Sequence, residues 1–320
     1  MRGMTFGFVM DPLDGIILDE DTTFAFMLAA QERGHRLFYI RPEDLYADHD
    51  TARAALHPCE VQRVEGDHYE LGEPEDVALG DLDCLFMRKD PPFDIDYLHA
   101  SHLLELARKQ GAFVLNDPTG LRVANEKLYA LHFPELLPDT LVTRRPEAIE
   151  SFMADHDGRC VIKPVDGYGG ASIFVLDRDD RNHNSLIEMM TSEGSERVVC
   201  QEYVPEAREG DKRILLLDGE PMGAILRVPP EDDHRGNIHV GGDVVQTDLT
   251  ERDREICERV GERLVDDGLW FAGIDVLGDA LTEVNVTSPT GIQEMSRLDD
   301  VDGAGQVVEW AAERARLGDA

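Results

Sequence analysis

Three oxygen-bearing side chains near the carboxyl end have the spacing of a metal site. Asp275 lies in one apolar segment, Glu283 and Asn285 lie in the next, and Gly278-Asp279 separates the two segments. If the segments pair as a hairpin, Asp275 and Glu283 become cross-strand neighbours, and Asn285 shares a face with Glu283 because side chains alternate along a strand. Two carboxylates and an amide suit Mg²⁺ or Mn²⁺ rather than zinc. The sequence therefore predicts a divalent-metal site, with a solvent-exposed acidic hairpin as the alternative.

A glycine-rich loop upstream has the composition of a phosphate-binding loop. Gly167, Gly169 and Gly170 lie in the segment from Lys163 to Ser172, between two strand-like segments. Glycines let backbone amides approach a phosphate without obstruction by a Cβ atom. No Gly-Lys-Ser/Thr opens a helix here, so the loop is not a Walker A loop. An ordinary hairpin turn is the alternative, and Lys163 directly before the loop favours phosphate binding.

Lysine is scarce in this chain. Of the 31 basic residues only five are lysine, and these are Lys89, Lys109, Lys127, Lys163 and Lys212. A chain that avoids lysine on its surface keeps it where a compact ammonium group is needed, for example to hold a phosphate. Transfer of a γ-phosphoryl group needs such cations to neutralise developing charge. We therefore interpret Lys127 and Lys163 as the two phosphate-binding lysines.

The strands and helices that must position these residues follow one pattern in the N-terminal part of the chain and another in the rest. Residues 1–123 alternate strand-like and helix-like segments, which predicts an α/β lobe with a parallel sheet covered on both sides. Its first strand runs into Asp11-Pro12 and not into a Gly-x-Gly-x-x-Gly turn, which disfavours a dinucleotide site. An acidic stretch up to about Leu82 is interpreted as irregular. From Asp139 onward the pattern changes and predicts an α+β half with mainly antiparallel sheets.

The composition excludes several classes of function. With 66 acidic and 31 basic residues the formal charge is −35, which disfavours nucleic acid and anionic membrane surfaces as partners. No apolar segment approaches the roughly 20 residues of a membrane span, and no leader-like segment opens the chain, so we expect a cytoplasmic protein. Five widely spaced cysteines predict reduced core residues. Adaptation to high salt is a further hypothesis from the acidity.

Several motifs occur in the order that they have in one known family. Asn125-Glu126-Lys127-Leu128, the loop after Lys163, Gly210-Asp211-Lys212-Arg213 and the segment from Thr282 to Thr290 follow one another, and Met87 to Asp94 contains Arg-Lys-Asp-Pro-Pro-Phe-Asp. In these motifs the chain resembles the bacterial glutathione synthetases of the ATP-grasp superfamily. The resemblance extends from about Met4 to the last predicted helix. As an ordered set the motifs are specific, whereas the glycine loop alone is weak.

The resemblance implies a fold and an activity. It implies an N-terminal substrate-binding domain, the pre-ATP-grasp domain, at residues 1–123 and an ATP-grasp domain at 124–320, with a lid subdomain at about 139–203 and a C-terminal catalytic subdomain at about 204–320. It also implies joining of γ-glutamylcysteine to glycine through an acyl phosphate, with ATP as co-substrate and Mg²⁺ or Mn²⁺ as the metal. A homotetramer is the assembly that it suggests.

The same resemblance assigns roles to individual residues. Phosphate would be bound by Lys127, Lys163 and the glycines Gly167, Gly169 and Gly170. The adenine would be held through the backbone of Gln201, Glu202, Tyr203 and Val204. The metal would be bound by Asp275, Glu283 and Asn285. Asp211 would lie near the nucleotide, and the substrate would be met by Arg88, Arg213, Arg235, Ser288 and Thr290, with Arg213 and Arg235 as the catalytic residues.

Arg235 belongs to a segment that the resemblance makes a mobile flap over the acyl phosphate. The segment runs from Pro229 to Gly242, and its Glu231-Asp232-Asp233 run is more acidic than such a flap would be. A plain surface loop is the alternative for this segment. For the whole chain the alternatives are another ATP-grasp ligase, making a D-alanyl dipeptide or adding glutamate, and a nucleotide-binding module without catalysis.

Overall fold

The computed structural model describes residues 3–167, 169–170, 172–229 and 243–318. Over these ranges the chain forms three β-sheets with α-helices packed against them. Across the described ranges, none of the helices combines the length and the apolar character needed to cross a membrane. The fold is mixed α/β, as the sequence predicts.

The first sheet contains the strands β1 (Thr5–Met10), β2 (Arg36–Ile40), β3 (Leu45–Asp48), β4 (Thr51–Val61), β5 (Tyr69–Leu71), β6 (Glu75–Ala78), β7 (Cys84–Arg88) and β8 (Phe113–Leu115). Strand β1 pairs in parallel with β2 and β7, and β7 pairs in parallel with β8, which confirms the predicted parallel sheet. Strand β4 pairs with its partners in antiparallel orientation.

The interpretation of the acidic stretch before Leu82 as irregular is wrong, because β3 to β6 lie in it. Strand β4 alternates buried and less buried residues from Ala52 through Ala54 to Leu56. Alanines carry a weak hydrophobic signal, and this hid the period of two that marks a half-buried strand.

Helices α1 (Thr22–Glu32) and α2 (Ile95–Lys109) cover opposite faces of this sheet, and α3 (Pro118–Val123) follows β8. Phe6 and Phe8 of β1 pack with α1, whereas Val9 packs with α2. This division follows from the alternation of side chains along a strand. Asp21 caps α1 by accepting a hydrogen bond from the Phe24 amide (2.6 Å), and Asp94 caps α2 by accepting one from the Tyr97 amide (2.9 Å).

The second sheet is antiparallel and has a core of its own. Its strands, in the order β11-β10-β12-β9, are β9 (Thr140–Thr143), β10 (Arg159–Pro164), β11 (Phe174–Asp177) and β12 (Val198–Glu202). Helices α4 (Pro146–Asp155) and α5 (His183–Met190) pack on it. Strands β10 and β11, the two strand-like segments on either side of the glycine loop, pair as a hairpin. The core of this unit, called here the small core, consists of Ile149, Met153, Cys160, Ile162, Leu176, Ile187, Val198 and Cys200.

The third sheet carries the residues of greatest chemical interest. Its strands, in the order β15-β14-β13-β16-β17, are β13 (Asp211–Leu217), β14 (Glu220–Val228), β15 (Asp243–Gln246), β16 (Phe271–Leu277) and β17 (Ala280–Asn285). Helices α6 (Glu251–Asp266), α7 (Ile292–Asp299) and α8 (Gly303–Leu317) pack against it or beside it. A capping box of Thr250 and Asp253 opens α6, and the Lys212 ammonium pairs with the Asp253 carboxylate.

The first and third sheets share two large cores, which both contain residues from before and after position 123. Asn116, just after β8, ties the sheets together. Its Nδ2 donates to the carbonyl oxygens of Phe271 (2.7 Å) and Val286 (3.0 Å), and its Oδ1 accepts from the Phe271 amide (2.8 Å). The five cysteines are buried and unpaired by disulfides, which confirms their prediction as core residues.

Candidate functional site

A cleft lies between the second and third sheets. It encloses about 1040 Å³ of space, part of it open to solvent. Most of the residues that the sequence singles out line it, namely Lys127, Lys163, Gly167, Gly169, Gly170, Gln201, Glu202, Tyr203, Val204, Asp211, Asp275 and Glu283. The structure therefore brings together segments that are up to about 150 residues apart in the sequence.

Strands β16 and β17 form the hairpin predicted for the metal site. Asp275 lies opposite Glu283 and Gly273 lies opposite Asn285, with the turn at Gly278 in the left-handed region (φ +59°). The Asn285 Nδ2 donates to Asp275 Oδ2 (3.3 Å) and to the Gly273 carbonyl oxygen (3.1 Å). The three side chains therefore share one face, and their metal-binding role stays a prediction.

Asp275 is held by two arginines. Arg213 donates from Nε to Oδ1 (2.5 Å) and from Nη2 to Oδ2 (2.9 Å), and Arg227 Nη2 lies 3.0 Å from Oδ2. Burial would raise the pKa of Asp275, but the charges of Arg213 and Arg227 outweigh it and hold that pKa below its usual range. Asp275 is therefore an anion that also anchors two cations beside the cleft.

Glu283 is paired with the two lysines that the sequence assigns to phosphate. Its Oε1 lies 3.3 Å from Lys127 Nζ and 3.6 Å from Lys163 Nζ. Burial opposes ionisation of Glu283, but the two ammonium groups outweigh it and lower its pKa, whereas burial lowers the pKa of Lys163. The two ammonium groups of Lys127 and Lys163 could therefore leave the Glu283 carboxylate and pair with the oxygens of a phosphate instead.

The glycine loop approaches Lys127. The Lys127 ammonium donates to the Gly167 carbonyl oxygen, and Asn125 Nδ2 donates to Asp166 Oδ1 (3.0 Å). Gly169 and Gly170 have φ values of +62° and +74°, a conformation that favours glycine. The loop is therefore connected to the segment that carries Lys127. Tyr168 and Ala171 lie outside the described residues.

The four residues assigned to the adenine lie at the end of β12 and line the cleft. The side chain of Gln201 is buried and donates to Thr140 Oγ1 (3.0 Å). The ring of Tyr203 lies 3.9 Å from the Arg159 guanidinium carbon. Because the side chains of Gln201 and Tyr203 have protein partners, recognition of a base by these two residues would fall to the backbone, as the resemblance implies.

Arg88 connects the first sheet with the segment that carries Ser288 and Thr290. Its Nε donates to Thr23 Oγ1 (3.0 Å) and its Nη2 to the Pro289 carbonyl oxygen (3.0 Å). Burial lowers the pKa of Arg88 to about 10. The Thr290 carbonyl oxygen accepts from Arg213 Nη1 (3.2 Å), so this segment lies between the two arginines. Arg235, with the predicted flap, lies outside the described residues.

Two residues at the site received no role from the sequence. Arg227 on β14 lines the cleft and pairs with both Asp211 and Asp275. The sequence signal that could have identified Arg227 is its position in β14, where it directly follows three apolar residues. Glu126 accepts hydrogen bonds from the amides of Val286 (3.1 Å) and Thr287 (3.2 Å) and from Thr287 Oγ1 (2.8 Å), next to Lys127.

The donor set fits a hard divalent cation. Glu283 lines the cleft beside both lysines, Asn285 lies two residues further along the same face of β17, and the described residues that line the cleft include no cysteine or histidine. Three cations, Lys127, Lys163 and Arg227, and four carboxylates, Glu202, Asp211, Asp275 and Glu283, thus line one cleft. Such an arrangement suits the binding of a metal–polyphosphate complex.

The fold is similar to solved ATP-grasp ligases. D-cycloserine synthetase DcsG matches with a TM-score of 0.67 and 16% identity, covering 97% of this chain and 99% of that one. The ATP-grasp ligase PsnB complexed with minimal precursor matches with a TM-score of 0.64 and 17% identity, covering 98% and 100%. At these identities the likeness concerns the fold.

Comparison with known sequences identifies the family of this chain more specifically than the fold does. The family model for the prokaryotic glutathione synthetase N-terminal domain matches residues 4–122, and that for the prokaryotic glutathione synthetase ATP-grasp domain matches residues 126–300. The glutathione synthetase of Gloeobacter violaceus is 49% identical over 314 residues, 97% of each chain, and that of Coxiella burnetii is 45% identical over 305 residues, 95% of each chain. On these grounds the chain belongs to the prokaryotic glutathione synthetase family, with an ATP-grasp fold.

Proposed function

We propose that this protein is a glutathione synthetase, which joins γ-glutamylcysteine to glycine and converts ATP to ADP and phosphate. The observation that carries the proposal is the similarity of nearly the whole chain to enzymes of that name, at 43–49% identity. The cleft supports it, because it places Lys127 and Lys163 beside Glu283.

The nucleotide would lie in the cleft with its adenine against the end of β12. Lys127, Lys163 and the amides of the glycine loop would hold the phosphates, and Asp211 would lie near the nucleotide. Entry of the phosphates would draw both ammonium groups away from Glu283, because phosphate oxygens carry more charge than one carboxylate. That exchange would leave Glu283 able to bind a cation.

Glu283 and Asn285, with Asp275 beside them, would hold Mg²⁺ or Mn²⁺. When bound, the metal supplies neutralisation of the charge on the phosphates. Asn285 Nδ2 is committed to Asp275 and Gly273, so Oδ1 is the atom that Asn285 would offer to the cation.

The peptide would lie next to Arg213, with Arg88, Ser288 and Thr290 on the same side. Its cysteinyl carboxylate attacks the γ-phosphorus, an oxygen–phosphorus bond forms, and the bond to the β–γ bridging oxygen breaks to release ADP. The glycine amine then attacks the acyl carbon, loses a proton and displaces phosphate. Arg213 would stabilise the charge on the acyl phosphate. Arg235 would contribute from the segment between Pro229 and Gly242.

The test is phosphate release with γ-glutamylcysteine, glycine, ATP and Mg²⁺, omitting each component in turn. We expect release only with all four present, and formation of the tripeptide in equal amount. Release with a D-alanine pair or with glutamate as the added amino acid, and none with γ-glutamylcysteine and glycine, would replace this function by that of another ATP-grasp ligase. The Glu283→Gln variant serves as the inactive control, and full activity in it would remove Glu283 from the site.

Three properties of the whole protein complete the proposal. We propose a cytoplasmic location, supported by the use of ATP as co-substrate, and a homotetramer, supported by the resemblance to the family. Residues 1–123 would form the substrate-binding domain and residues 124–320 the ATP-grasp domain. Light scattering of the purified protein tests the assembly, and a mass of one or two chains would contradict the tetramer.

A further inference from the structure

Five charged side chains follow one another across one face of the third sheet. Arg227 on β14 lies opposite Asp211 on β13, Arg213 on β13 lies opposite Asp275 on β16, and Asp275 lies opposite Glu283 on β17. Directly opposed residues in antiparallel strands point to the same face, and so do residues two apart in one strand. The register of the strands therefore produces a row of charges that ends at the proposed metal site.

Arg227 joins two carboxylates of this row. Its Nη2 pairs with Asp211 Oδ2 and lies 3.0 Å from Asp275 Oδ2, and its Nε lies 3.3 Å from Asp211 Oδ1. The residue is only 4% exposed. A guanidinium group can hold two carboxylates in fixed positions because its donors form a planar fork. An ammonium group has no such fork.

We infer that Arg227 is a positioning residue of the metal site, which acts by fixing Asp275 and, through it, Asn285. This inference rests on the proposed function. Asp275 Oδ2 lies 3.0 Å from Arg227 Nη2 and accepts a hydrogen bond from Asn285 Nδ2 (3.3 Å). With that oxygen fixed, the amide group of Asn285 keeps its nitrogen toward Asp275 and its oxygen available to a cation. Partners of metal ligands commonly set ligand orientation in this way.

A simpler role would be to neutralise Asp211. That carboxyl is buried in the same row, and burial raises its pKa while the charge of Arg227 works against this shift. The two roles predict different behaviour when Asp211 is changed together with Arg227. If Arg227 serves only Asp211, removing both charges restores the site, whereas a role through Asp275 leaves the site disturbed.

The experiment is a double-mutant cycle of Arg227→Met and Asp211→Asn. Mn²⁺ binding in the presence of β,γ-methylene-ATP is measured by electron paramagnetic resonance, and thermal unfolding is measured alongside. We expect Arg227→Met to weaken Mn²⁺ binding by about tenfold or more. The double variant should unfold near the wild-type temperature and still bind Mn²⁺ as weakly as Arg227→Met. Wild-type Mn²⁺ affinity in Arg227→Met or in the double variant would overturn the inference.

Arg227→Lys keeps the charge and serves as a second variant where the methionine variant does not fold. It should also bind Mn²⁺ less well than wild type, because one ammonium group does not span both carboxylates, and unchanged binding would count against the inference. Arg259→Met is the matched control, since Arg259 forms an exposed ion pair with Glu135 (3.0 Å). The readout does not depend on which substrates are joined. A failure to make the tripeptide would therefore affect the proposed function alone.

Discussion

Glu283 is the residue at which the two lysines and the proposed metal site meet. In the described structure its carboxylate is already neutralised by Lys127 and Lys163, so a divalent cation arriving without nucleotide would compete with two ammonium groups. A cation that arrives with a triphosphate brings oxygens that can take the lysines. The pairing therefore favours joint binding of metal and nucleotide.

The first prediction concerns Lys163. In Lys163→Met the phosphates lose a buried cation, and we expect the KM for ATP to rise about 10- to 100-fold, as for loss of a charged hydrogen bond. Initial rates at saturating peptide and glycine measure the change. Lys109→Met is the control, because Lys109 is exposed and pairs with Glu105 (2.5 Å). An unchanged KM for ATP in Lys163→Met would contradict a phosphate-binding role.

A second residue-scale prediction concerns Gly273, which lies opposite Asn285. A Cβ atom at this position would lie 3.0 Å from Arg213 Cδ and 3.1 Å from Pro289 Cβ, so Gly273→Ala should displace Arg213. We expect kcat to fall about 10- to 100-fold, as for a small misplacement of a catalytic group, with little change in the unfolding temperature. Gly15→Ala, where no atom lies within 4 Å of the added Cβ, is the control. Equal kcat values in the two variants would show that Arg213 needs no such space.

At the scale of elements, the hairpin of β16 and β17 was predictable because its signal is local. Apolar residues alternate around Asp275 and Glu283, and a Gly-Asp pair marks the turn. The position of Arg227 beside Asp211 was not predictable, since it depends on the register between β13 and β14, which has a bulge at Leu215/Leu216. The partners of Glu126 lie about 160 residues away, and no periodicity reports such a distance.

The third prediction concerns the start of α6. Asp253 is buried, accepts from the Thr250 amide and hydroxyl (both 2.8 Å) and pairs with Lys212. Asp253→Ala removes the Asp253 half of the capping box and leaves Lys212 without its carboxylate, so we expect a loss of about 3 kcal/mol in the free energy of unfolding. Lys212→Met should cost less, because Asp253 keeps both bonds from Thr250. Urea unfolding compares the two, and an equal or larger loss in Lys212→Met would contradict this explanation.

At the scale of the whole molecule, the charge of −35 is the dominant property. The exposed surface carries acidic residues with few lysines, so mutual repulsion opposes the folded state at low ionic strength. The parallel strands, the antiparallel sheets and the cleft follow from local patterns and from the family's motifs. The response of the molecule to salt does not follow from these patterns, because it depends on the summed field of all charges.

The fourth prediction tests the hypothesis of adaptation to high salt. Screening by KCl should weaken the repulsion, and we expect the unfolding temperature to rise by about 5 °C or more between 0.1 M and 2 M KCl. Calorimetry or fluorescence measures the midpoint. Sucrose, which stabilises folded proteins without screening charge, provides the comparison. A midpoint that responds to sucrose but not to KCl would end the hypothesis.

The small core of the second sheet is separate from the two larger cores, and this affects how the protein unfolds. Among the described residues, eight buried side chains form that core and five partly buried ones pack against it, whereas the first and third sheets share far larger cores. Under mild denaturation the weaker unit should melt while the remainder persists, giving two steps in place of one. Val161 and Gln201 from this unit line the same cleft as Asp275 and Glu283. A nucleotide that fills the cleft would contact both units and link their stabilities. Unfolding of the whole protein would then be a single cooperative step only while the nucleotide is bound.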